Sequence, residues 1–182
     1  MYTARFLIIG TVTTLAIGLG AAPATAVTTD DTIVTFTVDA GNLSIAVPAT
    51  ATIGGGASGT PTSSALGTIT VTDDRGAAVG SWTASVTSTD FATGGGTTTE
   101  KILKALIDYW SGGPTASTGD GTFAGGQAAV GNAQTLASSR TAFTRTGGTG
   151  NSTASWNPTL VFHTPLANVA GAYVGTVTHS VA

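Results

Sequence analysis

The chain has 182 residues, 26 of them glycine and none cysteine, with 8% charged residues and a formal net charge of −3. So sparse and slightly negative a charge leaves no basic patch for phosphates, which excludes nucleic acid as a partner and an electrostatic grip on an anionic membrane. Without cysteine there are no disulfides, so an exported domain must be held by packing and sheet hydrogen bonds alone.

In chain order, Arg5, the apolar run 6–20 and Ala24-Thr25-Ala26 predict a signal peptide over 1–26, cleaved before Val27. The run contains Gly10, Thr11, Thr13 and Thr14 and falls short of the ~20 apolar residues of a membrane span, so no membrane insertion is expected after cleavage. The protein is therefore expected to be secreted, extracellular or cell-wall associated. Residues 27–182 have the length of one ordinary domain.

From there hydrophobicity alternates with period two, and the intervening residues are mostly Thr and Ser, the pattern of half-buried strands. Val34, Phe36 and Val38 share one face of a first strand, and Leu43, Ile45 and Val47 one face of a second. Asp39, Ala40, Gly41 and Asn42 supply the turn of a hairpin between them. Pro48 and the Gly-rich loop 53–64 end the second strand. A strand over 66–72, the turn Asp73-Asp74-Arg75-Gly76 and a strand with Trp82, Ala84 and Val86 on one face predict a second hairpin.

Residues 97–110 are ambiguous. Ile102, Leu103, Leu106, Ile107 and Trp110 recur at helical spacing, and Thr98, Thr99 and Glu100 suit a helix start. A strand over 105–110 before the turn Gly112-Gly113-Pro114 suits the β surroundings better, and both readings stay open. The tract 111–134 holds strand pieces around Phe123, and strands follow over 135–144, 155–164 and 173–181, the last two joined by a turn over 165–171. About eight or nine short strands predict an all-β fold, an antiparallel two-sheet β-sandwich of Greek-key, immunoglobulin-like type, with a barrel as the alternative. The last strand runs almost to Ala182, so any anchoring is expected to be non-covalent.

Catalytic groups are sparse. His163 and His179 are the only histidines, too few without cysteine for a zinc or copper site, and no nucleophile elbow or phosphate loop is present. No catalytic residue, metal or cofactor is assigned, and the chain is expected not to be an enzyme. Asp73 and Asp74 in one turn offer the only candidate calcium clip. By alternation His179 shares a face with Tyr173, Val177 and Val181, as a core or rim imidazole does. Trp82, Trp110, Trp156 and Tyr109 are the aromatic candidates for stacking on sugars. Inward faces favour packing for Trp82 and Trp156, which leaves Tyr109-Trp110 as the exposed pair.

Two segments carry a family resemblance: ITVTDDRGAAVGSWTASV over 69–86 and GAYVGTVTHSV over 171–181. They resemble the WxL-type surface domains of Gram-positive bacteria, in which a strand, an Asp-Arg-Gly-like turn and a Trp-x-Leu strand form the first half, and a Tyr-x-x-x-Leu-x-Trp-x-Leu strand closes the domain. Here Ala84 stands at the first Leu, and His179 and Val181 stand at the second Trp and Leu. The resemblance implies a β-rich secreted domain held non-covalently to peptidoglycan. The expected function is a non-enzymatic cell-surface protein whose partner is a cell-wall polymer or other surface proteins. Its contact candidates are Tyr109, Trp110, Trp82, Tyr173 and His179. The alternative is a self-assembling subunit of a surface coat or filament, whose short arm over 27–32 adds to a neighbour's sheet edge.

Overall fold

A computed structural model describes residues 32–182, so the signal peptide and most of the 27–32 arm lie outside the described residues. Short apolar runs spaced by Thr and Ser become fourteen strands: β1 Leu43–Ala46, β2 Pro61–Ala65, β3 Ile69–Asp73, β4 Trp82–Ser88, β5 Phe91–Ala92, β6 Lys101–Ile102, β7 Ile107–Trp110, β8 Ala116–Thr118, β9 Thr122–Gly125, β10 Gln134–Thr135, β11 Arg140–Thr146, β12 Ser152–Trp156, β13 Thr159–His163 and β14 Val177–Val181. Every pairing among them is antiparallel. Among the described residues the only helical elements are three 3-10 turns.

The strands do not form a simple two-sheet sandwich. They form three four-stranded sheets, in the orders β1-β3-β12-β8, β10-β7-β13-β2 and β14-β4-β11-β9, plus the short pair β5-β6. One corner explains the extra sheet. β12 lies in the first sheet and β13 in the second, with only Asn157 and Pro158 between them, and Pro158 has no amide to continue a ladder. Opposite, three residues separate β2 from β3, so the corner carries an extra residue, and Gly67 takes it at φ +102°. Gly67 N–H donates to Asn157 Oδ1 at 3.1 Å and Leu66 N–H to the Pro158 carbonyl at 2.8 Å, which satisfies the bend.

Both expected hairpins are corrected. β3 pairs with β1 and β12 while β4 pairs with β11 and β14, so the strands flanking the Asp73 turn enter different sheets. Residues 32–42 form no strand, and the side chains of Ile33, Val34, Phe36 and Val38 are exposed. Alternation shows that a face suits burial but not which strand will cover it. The chain divides after Thr37, and every strand lies in the unit Val38–Ala182. The ambiguous stretch is mixed: a 3-10 turn at Thr98–Glu100, β6, a second 3-10 turn at Lys104–Leu106, then β7. Glu100 ends the first turn by accepting from the Thr97 N–H and hydroxyl at 2.9 and 2.8 Å.

The core lies where the sheets meet. Trp156 from β12 stacks on Phe143 from β11 with centroids 4.7 Å apart, and Phe143 stacks in turn on Trp82 from β4 at 6.2 Å. Beneath this stack Trp156 Nε1–H donates to Tyr109 Oη at 3.3 Å, and Tyr109 Oη lies 3.3 Å from His179 Nε2. The three groups belong to the first, second and third sheets in turn, so one buried polar chain ties all three together.

Candidate functional site

One open cavity of about 610 Å³ is built mostly from loops around the ends of β5, β6 and β13. Its floor is apolar. Phe91 and Phe162 meet edge to face with centroids 4.9 Å apart, and Ile102 is buried beside them. A β-carbon at Gly175 would run into the Phe91 ring, so bare backbone there is what lets the ring lie flat against the closing segment.

Tyr173 forms one wall and is held by its hydroxyl, which donates to the Val169 carbonyl at 2.8 Å and accepts from Asn168 Nδ2 at 3.2 Å. Asn168 Nδ2 also donates to the Lys101 carbonyl at 2.8 Å, and Ser58 Oγ–H donates to the Asn168 carbonyl at 2.7 Å. The loop 165–173 is thereby fastened both to β6 and to the Gly-rich loop 51–58 that forms the opposite wall. Ser58, Thr62 and Thr164 bring hydroxyls to the lining, and among the described residues no charged side chain lines the cavity.

A second depression of about 550 Å³ is lined by Asp90, Lys101, Leu103, Leu106 and Asn168, among others. Lys101 and Lys104 are the only lysines of the chain, and both are exposed. Lys101 lines this depression, and Lys104 sits at its side, its N–H donating to Asp90 Oδ1 at 2.8 Å. Neither takes part in an ion pair among the described residues.

The five aromatic and imidazole candidates part company. Tyr173 is at the cavity. Tyr109 is fully buried, because the alternation of β7 points Ile107 and Tyr109 inward, and Trp110 is half-buried on the other face. The exposed Tyr109-Trp110 pair is therefore corrected for Tyr109. Trp82 and His179 are buried. Burial holds the His179 imidazole neutral, its pKa lowered to about 4, and pushes the Tyr109 phenol up. Phe91 and Phe162, which complete the site, were not legible in the sequence because the floor is assembled from β5 and β13, and the two rings are 71 positions apart. The only local signal was an aromatic beside a Gly-rich tract.

Asp73 is not free to clip calcium. Its carboxylate is nearly fully buried and accepts from Arg75 Nε at 2.8 Å, with the fully buried Arg145 Nη1 at 3.4 Å. Hydrogen bonding from the Arg75 guanidinium holds its pKa below the usual carboxylate range. Arg145 is otherwise satisfied by carbonyls of Asp120, Thr149 and Gly150, so this cluster locks the loops at one end of the third sheet. Comparison with family models, with curated proteins and with solved structures found no match to this chain.

Proposed function

We propose that the chain is a secreted, non-enzymatic, WxL-like cell-surface protein that binds the cell wall non-covalently, and that the Phe91–Phe162–Tyr173 cavity takes a stretch of peptidoglycan. The single observation that carries this reading is the pairing of aromatic rings with hydroxyls in one uncharged, open cavity. Sugars present apolar C–H faces to rings and hydroxyls to polar groups, and a small number of placed polar groups then orients the chain. Lys101 in the neighbouring depression supplies a cation for the carboxylates of stem peptides. This moves the binding surface away from Tyr109 and Trp82 and keeps only Tyr173 of the sequence candidates.

The test is co-sedimentation of the mature protein with purified peptidoglycan. Ala172 is exposed and lines the cavity, so Ala172→Trp places an indole there without removing a core side chain and is expected to weaken binding at least tenfold, ~1.4 kcal/mol or more. Lys101→Glu is expected to weaken it less, and only at low salt. Binding by Ala172→Trp equal to that of the unaltered protein would overturn the assignment of the cavity, and no sedimentation of the unaltered protein would overturn wall binding itself.

A further inference from the structure

We propose that residues 33–38 of one copy add as a strand to the free edge of β14 in a second copy, linking the protein into chains. The donor has the form of a strand without a partner. Val34, Phe36 and Val38 are 82%, 83% and 78% exposed, Thr35 and Thr37 alternate with them, and no ladder uses their backbone. Such a segment leaves both an apolar face and a row of amides to water, and pairing with an edge satisfies the two together.

The acceptor is defined by β14. Among the described residues it is the outermost strand of the third sheet and pairs only with β4. Thr83 and Ala182 exchange both backbone bonds, at 2.9 and 3.1 Å. Antiparallel pairs alternate, so Thr178 and Ser180 also bond β4 and the N–H and C=O groups of Val177, His179 and Val181 point away from it. Among the described residues no strand pairs with this edge. Of the two five-residue edge strands, β2 begins with Pro61, whereas β14 has neither proline nor lysine. β1, itself an edge, runs beside β14, and between them Leu43, Ile45, Val177 and Val181 pack on the core while remaining partly exposed.

Donor and acceptor match in length and chemistry. Residues 34–38 offer five positions to the five of β14, and neither segment carries a carboxylate, lysine or arginine. Three apolar side chains on one side of the added strand would finish covering the partly exposed rim. Each copy holds one donor and one acceptor at different places, so the contact is heterologous and propagates instead of closing on a dimer. The inference stands apart from the wall-binding cavity, which neither segment lines.

Sedimentation of the mature protein over a concentration series tests it, with one variant in the donor and one at the first residue of the acceptor strand, each first shown by circular dichroism to be folded. Phe36→Asp breaks the donor. Val177→Pro removes an outward amide, which an edge tolerates, and breaks the acceptor. Unaltered protein is expected to grow in mass with concentration, and each variant alone to stay monomeric with at least tenfold weaker association. Mixed together, the two variants are expected to form a heterodimer that grows no further, because one intact arm meets one intact edge. Monomers of unaltered protein at every concentration would overturn the proposal. In that case faster amide exchange over 34–38 in Val177→Pro would assign the arm to its own chain, and unchanged exchange would leave the edge without a role. Assembly that survives Phe36→Asp would equally overturn it.

Discussion

β4 and the segment 34–38 carry the same pattern and meet opposite fates. Trp82, Ala84 and Val86 alternate with Thr83 and Ser85 as Val34, Phe36 and Val38 alternate with Thr35 and Thr37. In β4 the apolar face is buried to within 3% of completely, because β11 and β14 flank it and Trp82 stacks on Phe143, which stacks in turn on Trp156. In 34–38 the equivalent side chains are more than three-quarters exposed. Alternation is a property of the strand alone, whereas burial belongs to the strand and whatever lies opposite.

Substitutions on the two faces should therefore differ by the whole value of a core. Trp82→Ala removes one end of the aromatic stack and is expected to cost about 3 to 5 kcal/mol in denaturant unfolding. Trp82→Phe should cost far less, since the indole Nε1–H is buried without a partner and its loss removes an unsatisfied donor. Equal losses for the two variants would show that the stack is not what stabilises β4.

The next largest effect lies in the buried chain Trp156–Tyr109–His179. The folded core holds His179 neutral, with a pKa near 4, while an unfolded histidine takes a proton near 6.5. Below about pH 6.5 the unfolded state binds the proton that the folded state refuses, so stability falls as pH drops towards 4. The expected loss by pH 4.5 is on the order of 2 to 3 kcal/mol, measured by urea unfolding at pH 7 and 4.5. His179→Phe should flatten that part of the pH profile, and an unchanged slope would place the titration elsewhere.

At the small end, Phe36→Ser should change the stability of the isolated monomer by no more than about 0.5 kcal/mol, since the side chain is exposed. A thermal shift of several degrees at a monomeric concentration would mean that the segment is paired within its own chain. The contrast with Trp82→Ala is then the sharpest measure of how differently the two strand-like segments are used.

Local chemistry determined a good deal by itself. Thr- and Ser-spaced alternation was enough to establish an all-β chain and the inward faces of β3, β4 and β14, because period two orients side chains whatever the strand pairs with, whereas the single strand expected over 155–164 is split between β12 and β13 in different sheets. Alternation favoured packing for Trp82 and a core or rim place for His179, while leaving both among the wall-contact candidates. The number of sheets, the partners of each strand and the cavity were decided only by tertiary structure. Pro158 and Gly67 turn one surface through a corner, the strands on either side of the Asp73 turn part into different sheets, and Phe91 meets Phe162 across 70 residues. Tyr109 was legible as an aromatic but not as a buried one, since its hydroxyl is satisfied by groups 47 and 70 positions away. Hydrogen bonds and contacts at that separation leave no periodicity in the chain, so only folding brings them into being.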